Sequence, residues 1–177
     1  ASGLEKYVPV IRKIFRDYDI PVRFLQNRSV QSHPIFQLLQ SFLNYLTTDK
    51  PKWENIFAVL LHPLMKPSKE VFAMEIFCRR NGKIYSDEDD DLLLQFPQVA
   101  EIITNFRQSY SQKEILAATV SFLQNLPIDD DAESVAVLEK IASAADNLQN
   151  YYHILEWSPD KKTVKNDLIN LLETTEI

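Results

Sequence analysis

Glycine is scarce in this sequence, and its scarcity excludes several kinds of site. Only Gly3 and Gly82 occur among the 177 residues. Phosphate-binding loops and tight β-hairpin turns both depend on glycine, because its backbone adopts positive φ without strain. No Gly-x-x-x-x-Gly-Lys-Ser/Thr loop is present, so the chain lacks that route to binding a nucleoside triphosphate. The composition favours a mainly helical protein over a meandering β-sheet.

Cysteine and long apolar runs are scarce as well. Cys78 is the single cysteine, so no internal disulfide can form, which fits a reducing compartment. We interpret it as a small buried hydrophobic residue rather than a reactive thiol. No apolar run approaches the ~18 residues of a membrane-spanning helix, and no signal-peptide pattern opens the sequence. These observations predict a cytoplasmic protein without membrane contact.

Recognisable catalytic constellations are missing too. The histidines His33, His62 and His153 have no second His or Cys at metal-ligand spacing. The acidic run at residues 87–91 lacks the glycine and the distal glutamate of a calcium loop, and no Ser or Cys lies in a glycine-flanked nucleophile turn. We therefore predict no catalytic, cofactor-binding or metal-binding residue and no cofactor. An enzyme with an unrecognised site remains an alternative.

Apolar periodicity is the strongest signal that the sequence does contain. Apolar residues recur at helical spacing over most of the chain. Proline and capping residues mark helix starts, such as Ser32 or His33 before Pro34. The predicted helices lie at residues 7–17, 34–46, 52–61, 68–80, 97–108, 111–125, 131–156 and 160–174. The predicted fold is mainly α, a bundle of about seven to eight helices with at most one or two short strands, near residues 22–25 and 83–85.

Charge is distributed unevenly along the chain. Residues 1–86 contain 13 Lys and Arg against 7 Asp and Glu, whereas residues 87–177 contain 6 against 18. The Asn81-Gly82 turn signal and the acidic run that follows mark the best candidate boundary. We predict a basic helical part, 1–86, and an acidic helical part, 87–177, packed into the same domain. A basic half is compatible with nucleic-acid binding, and equally with ordinary variation among solvated helix faces.

Seven cations near loops or helix ends of the basic half are the candidate DNA-binding residues. They are Arg23, Arg28, Lys66, Lys69, Arg79, Arg80 and Lys83. Long cationic side chains on one face suffice to contact phosphates, and such contacts specify no base sequence. The same residues also fit ordinary solvated surface positions.

Four stretches of the basic part carry motifs that occur together in one protein family. Residues 7–15 carry the pattern Y-x-P-x-I-x-x-x-F, and residues 20–22 contain the Ile-Pro step that follows it. Residues 27–34 are similar to the link D-R-x-x-x-x-H-P, with Asn27 at the position where an acidic residue is common, and residues 60–64, Leu-Leu-His-Pro-Leu, are similar to the step that closes the next helix. In this order the four stretches resemble subunits of helicase–nuclease complexes of the RecC and AddB type, which are UvrD-like superfamily-I proteins.

The resemblance implies an inactivated helicase-like subunit, and within it the region around the helical insertion called 2B. Such a domain would be non-catalytic. It would guide DNA or pack against motor domains, beside a helicase–nuclease partner subunit of an ATP-dependent exonuclease that acts in recombinational DNA repair. The opening helix would expose an apolar face in this chain, which predicts dimerisation. The alternative is a helical protein–protein interaction module without nucleic-acid contact, whose acidic half docks a basic partner.

Overall fold

The computed structural model describes residues 7–18, 20, 29–84, 90–112, 114–127 and 131–176. Within these ranges the chain forms nine α-helices, two short 3₁₀ turns and no β-strand. The helices are α1 (Val8–Asp17), α2 (Pro34–Thr47), α3 (Trp53–Leu60), α4 (Lys69–Arg80), α5 (Asp90–Gln95), α6 (Pro97–Gln112), α7 (Ile115–Gln124), α8 (Ala132–Ile154) and α9 (Lys161–Glu173). The prediction of a mainly α fold is confirmed.

The described residues contain one helix more than the upper limit of the prediction, and neither expected strand is seen in them. The extra helix is α5, which begins in the acidic run. The first expected strand, residues 22–25, lies outside the described residues. At the second, Lys83 and Ile84 are not in a strand. The Ile84 carbonyl instead accepts a hydrogen bond from the Trp53 N–H at 2.9 Å, which holds the segment after α4 against the start of α3.

Side-chain caps fix the starts of three helices, as their sequences predict. His33 Nδ1 accepts the Ile35 N–H at 3.3 Å before α2, where Pro34 takes the first helical position. The Asp131 carboxylate accepts the Ser134 hydroxyl and N–H at the start of α8, and these bonds hold the pKa of Asp131 below its ordinary value. Asp160 caps α9 in the same way. Each cap satisfies a backbone donor that the helix itself leaves unpaired.

Two hydrophobic clusters make up the core of the described residues. The first cluster joins α2 to α7, α8 and α9, and the second joins α2 to α3, α4, α5 and α6. The first cluster includes Val30, Ile35, Phe36, Leu39, Leu43, Leu116, Val137, Ile141, Leu168 and Leu172. The second includes Leu38, Phe42, Leu46, Trp53, Ile56, Val71, Met74, Leu92, Val99 and Ile103. Both clusters therefore combine residues from the basic and the acidic parts of the chain.

Helix α2 is the element that the two clusters share. Ile35, Leu39 and Leu43 recur every four residues and enter the first cluster. Leu38 and Phe42 lie on the adjoining face and enter the second. The apolar residues of α2 therefore cover more than half of its circumference, and Gln37, Ser41 and Asn44 form a polar strip on the remaining side.

The segment that precedes α2 is hydrogen-bonded to the segment that follows α9. The Val30 N–H donates to the Thr175 carbonyl at 3.2 Å, and Ser29 forms an isolated antiparallel bridge with Glu176. The segment that enters α2 is thus held against the end of α9.

Among the described residues, no helix has both the length and the apolar character needed to cross a bilayer.

Candidate nucleic-acid interface

Five of the seven predicted DNA-binding cations lie on α4 or in the turns that adjoin it. Lys66 precedes the helix, Lys69 opens it, and Lys83 follows it. Arg79 and Arg80 form its last turn. All five side chains are exposed. The two remaining candidates, Arg23 and Arg28, lie outside the described residues.

The turns at each end of α4 fix where its flanking lysines lie. Lys66 adopts a left-handed conformation, with φ of 48°, at the end of the 3₁₀ turn Pro63–Met65. At the other end, Gly82 has φ of 62°, a backbone conformation that residues with a Cβ rarely adopt. The Lys83 N–H donates to the Cys78 carbonyl at 3.0 Å, as in a Schellman motif. The helix therefore ends abruptly and brings Lys83 next to its last turn.

Helical spacing places a basic and apolar stripe on the solvent side of α4. At 100° per residue, Lys69, Ile76 and Arg80 share one face, with Phe72 beside it. Phe72 and Ile76 are half-exposed. The opposite face carries Val71, Met74 and Cys78, which are buried in the second cluster. We call the exposed set Lys69, Phe72, Ile76, Arg79 and Arg80 the α4 face.

The two carboxylates of α4 leave most of this positive charge uncompensated. Glu75 pairs with Arg79, with Oε1 and Nη2 2.6 Å apart. Glu70 instead accepts the backbone N–H groups at the start of α6, from Gln98 at 2.8 Å and Val99 at 3.3 Å. Among the described residues, Lys69 and Arg80 form no ion pair. The α4 face is therefore net positive, and an anion can approach Lys69 and Arg80 without displacing an internal partner.

A broad groove lies on another side of the molecule, where the end of α8 meets the starts of α7 and α9. Its volume is about 1260 Å³. Its lining includes the acidic residues Glu114, Asp146 and Glu156, one lysine, Lys161, and the apolar residues Ile154 and Trp157. We call this surface the acidic groove. No sequence motif marks this groove, although the apolar residues that end α8 are a signal of an exposed apolar surface.

Aromatic and charged contacts support one wall of the acidic groove. The Trp157 ring packs edge-on against the Tyr152 ring, with centroids 5.5 Å apart. The backbone N–H of Trp157 donates to the backbone carbonyl of Tyr152 at 2.9 Å. The Tyr152 hydroxyl donates to Asp167 at 2.7 Å. Burial, together with this hydrogen bond to a carboxylate, raises the pKa of Tyr152 well above its ordinary value. The end of α8 is thereby fixed to α9, so this wall of the groove is preformed.

The described residues contain no group of three or more His, Cys, Asp or Glu side chains that could hold a metal ion. Cys78 is buried, as its apolar surroundings predict. His62 accepts the Leu64 N–H through Nδ1 at 3.3 Å, and its partial burial lowers its pKa. Cys78 and His62 therefore have local structural roles in the bundle.

Comparisons with protein-family models, curated proteins and solved structures find no match to this chain. The resemblance to helicase–nuclease subunits therefore stays a prediction, carried by the four stretches of the basic part alone.

Proposed function

We propose that this chain is a non-catalytic, cytoplasmic helical domain that contacts DNA through the α4 face. The observation that supports this most directly is the collection of five exposed cations on one helix and its flanking turns. Contacts to phosphate need only long cationic side chains that share a face. An accessory 2B-like domain of a DNA-repair helicase–nuclease subunit would have this role, and the resemblance in the basic part adds to the proposal.

The geometry of the α4 face suits a nucleic-acid strand. Lys69 and Arg80 are eleven residues apart, which corresponds to about 16 Å along the helix axis. Cations at both ends can therefore contact well-separated phosphates of one strand. Phe72 and Ile76 lie between them and are half-exposed, so an unstacked base can pack there. We accordingly propose that the face binds single-stranded DNA in preference to duplex.

Salt-titrated binding tests the proposal. Fluorescence anisotropy with labelled single-stranded and duplex oligonucleotides is expected to show affinity that falls steeply as salt rises, with the single strand bound more tightly. The K69A/R80A double variant removes two phosphate contacts, so the slope of log affinity against log salt should decrease in magnitude by about 1.4 for a single strand. The F72A variant should weaken single-strand binding by ~1–3 kcal/mol and leave duplex binding nearly unchanged.

A matched control separates the α4 face from general charge. Lys50 and Lys162 are exposed and lie together elsewhere on the surface, near α9. K50A/K162A removes the same charge as K69A/R80A but should keep the wild-type slope. Equal losses in both double variants would mean that the contact is non-specific, and would contradict a binding site on α4.

A protein–protein interaction module is the second candidate function. The acidic groove favours it, because a surface of this size with carboxylates and exposed apolar side chains suits a basic, amphipathic segment of a partner. The partner subunit of a helicase–nuclease complex is the partner that the resemblance implies. The same titration distinguishes the two functions, since an interaction module of this kind is expected to bind neither oligonucleotide at any salt concentration.

A further inference from the structure

A second pocket lies between the turn that follows α2 and the first half of α9. Its volume is about 620 Å³, within the ~300–1,000 Å³ that is typical of small-molecule pockets. Such pockets are usually lined by apolar side chains, but all nine described residues that line this one are polar or charged. We call it the lysine pocket, after Lys50, Lys162 and Lys165 in its lining. A lining of this kind favours a polar ligand over an apolar one.

The charge of the lysine pocket is opposite to that of the chain as a whole. The full sequence has a net charge of −6, and the acidic part contains only six Lys and Arg residues. Two of those six, Lys162 and Lys165, line the pocket, and Lys50 joins them from the turn after α2. Asp49 is the one carboxylate among the described lining residues. A concave surface lined mainly by one sign of charge focuses the field and attracts ions of the opposite sign, here anions.

Within the part of the chain that the structure describes, none of the three lysines forms an ion pair. Asp160 attracts Lys162, but its carboxylate accepts the Thr163 N–H at 2.8 Å and so remains at the cap of α9. Lys162 and Lys165 are three residues apart and are therefore neighbours on one face of α9, where like charges repel each other. An anion bound beside them relieves this repulsion.

One of the three lysines is already held in place. Lys165 is partly buried, and its Nζ donates to Asn44 Oδ1 at 3.3 Å. An ammonium group has three N–H donors, so two remain for a ligand. A side chain that is anchored before binding loses less conformational freedom when the ligand arrives, which favours affinity.

Neutral hydrogen-bonding groups lie near the lysines. Asn55 Oδ1 accepts the Lys52 N–H at 3.0 Å, which leaves the amide N–H groups of Asn55 as donors. The Thr48 hydroxyl donates to the Asn44 carbonyl at 2.6 Å, so its oxygen remains an acceptor. Asn166, also in the lining, is exposed. Such groups bind hydroxyls, whereas the described lining offers an aromatic base no apolar side chain to stack on.

We propose that the lysine pocket binds a small phosphate monoester with a hydroxylated body, such as a sugar phosphate. The phosphate lies among the three ammonium groups, and the hydroxyls contact Asn55, Asn166 and Thr48. A monoester carries a charge of about −1.5 to −2 at neutral pH, so it gains more from three lysines than a phosphodiester does. The proposal goes beyond DNA binding, because the pocket contains no residue of the α4 face.

Calorimetry and thermal unfolding of the full chain are the first test. The probe is ribose phosphate, phosphorylated on its primary hydroxyl, and the comparison ligands are ribose, inorganic phosphate and AMP. Ribose phosphate should bind more tightly than inorganic phosphate, and ribose should not bind. AMP, which adds only the base, should bind no more tightly than ribose phosphate. By mass action, ribose phosphate should also raise the melting temperature of the chain.

Single variants test the assigned contacts. K165M removes the anchored ammonium but keeps its aliphatic stem, and should weaken ribose phosphate binding by at least about tenfold, the usual loss for a hydrogen bond to a charged group. K140M, on α8 and outside the pocket, is the matched control and should bind as the wild type does. N166A should weaken the binding of ribose phosphate and leave that of inorganic phosphate unchanged. Circular dichroism and the melting temperature without ligand check the folding of each variant.

A crossed experiment separates this pocket from the α4 face. K50A/K162A should lose ribose phosphate binding and keep the salt dependence of DNA binding, whereas K69A/R80A should do the reverse. Both double variants remove two positive charges, so general charge cannot produce opposite results. The oligonucleotides carry no terminal phosphate, since a terminal phosphate is itself a monoester.

Several outcomes would overturn the proposal. Absence of ribose phosphate binding would do so directly. Equal affinity for ribose phosphate and inorganic phosphate would make the pocket a general anion site without recognition of the hydroxylated body. Tighter binding of AMP would mean that the base is recognised, against the polar lining. A smaller DNA salt slope in K50A/K162A would place these lysines in the nucleic-acid interface instead.

Discussion

At the scale of single residues, His62 couples the stability of the bundle to pH. Its Nδ1 accepts the Leu64 N–H and so must be unprotonated, and partial burial lowers its pKa below the ordinary 6.5. The unfolded chain therefore binds a proton here more readily than the folded chain. The contribution to stability is present in full above pH 6.5, the ordinary pKa, and is lost as the pH falls through the lower pKa of the folded state.

We expect the free energy of unfolding to decrease as the pH falls below 6.5, the ordinary histidine pKa, and part of this decrease to disappear in H62N. Asparagine caps a turn through its amide oxygen but does not titrate in this range. H153N, at an exposed histidine, is the matched control for the substitution itself. Urea titrations on both sides of that pH measure the effect. An unchanged pH dependence in H62N would show that other groups cause it.

Thr119 is a second residue whose environment leads to a prediction. Its side chain is fully buried in α7, and Oγ1 has no hydrogen-bond partner among the described residues. A buried hydroxyl without a partner lowers stability because it loses its bonds to water. T119V removes the hydroxyl at nearly constant shape and should raise the free energy of unfolding by about 1 kcal/mol.

The serine variant provides the control for Thr119. T119S keeps the hydroxyl and removes the methyl group, so it should lower the free energy of unfolding by roughly 1 kcal/mol. Chemical denaturation of the three proteins side by side measures both changes. A less stable T119V would mean that the hydroxyl has a partner, such as an ordered water.

At the scale of elements, one carboxylate fixes α4 to α6. The residue that precedes α6 is Phe96, whose side chain cannot accept a hydrogen bond. Glu70, a residue of α4, caps α6 instead. Its Oε1 accepts the N–H groups of Gln98 and Val99 at 2.8 and 3.3 Å. The start of α6 is thus capped by a different helix, and the cap also keeps the Glu70 carboxylate away from the cations of the α4 face.

E70A should lower the free energy of unfolding by about 1 kcal/mol, the usual cost of losing a helix cap. E70Q retains an oxygen acceptor and should lose less. Urea denaturation of the three proteins measures the order, wild type above E70Q above E70A. If E70A were as stable as the wild type, the bonds from Glu70 to α6 would contribute nothing in solution.

Local signals in the sequence predict most of the helices and the positions of their caps. Eight of the nine described helices coincide with predicted ones, because apolar periodicity and caps such as Asp131 and Asp160 are encoded within a few residues. The boundary between α6 and α7 is less well predicted: α6 continues to Gln112, and α7 begins only at Ile115. The missed helix α5 depends on Leu92, which packs into the second cluster, a contact that no local pattern reveals.

The candidate sites show the same division between local and long-range information. Helical spacing alone places Lys69, Ile76 and Arg80 on one face of a predicted helix. The hydrogen bonds between α6 and Glu70 join residues that are 28 and 29 positions apart in the chain, and sequence patterns do not reveal them. The acidic groove is assembled from the ends of α7, α8 and α9, so its residues are scattered along the chain. Such a surface becomes visible only when the packing of the helices is known.

At the scale of the whole molecule, the core does not follow the division in charge. Leu92, Val99 and Ile103 of the acidic part pack with α3 and α4, whereas Val30 and Ile35 of the basic part pack with α7, α8 and α9. Net charge describes the solvent-facing side chains, and the buried residues obey a different requirement, that of filling a common interior. A basic surface and an acidic groove can therefore lie on one interleaved bundle.

Phe42 of α2 lies where the two clusters meet. We therefore expect cooperative unfolding to depend on this residue most. Its ring stacks on Phe122 of α7, with centroids 3.9 Å apart, and meets Phe106 of α6 edge-on at 5.5 Å. F42A should lower the free energy of unfolding by about 3–5 kcal/mol, since it leaves a cavity where three rings meet. F42L, which refills most of this space, should lose less.

Because α2 belongs to both clusters, we expect the wild type to unfold in one transition. With W157F as the background, which removes the second tryptophan, fluorescence of the buried Trp53 reports on the second cluster, and far-ultraviolet circular dichroism reports on all the helices, so the two curves should coincide. In F42A both curves should move together to lower denaturant concentration. If the tryptophan transition separated from the helical one in the wild type, the two clusters would be independent units, and α2 would not couple them.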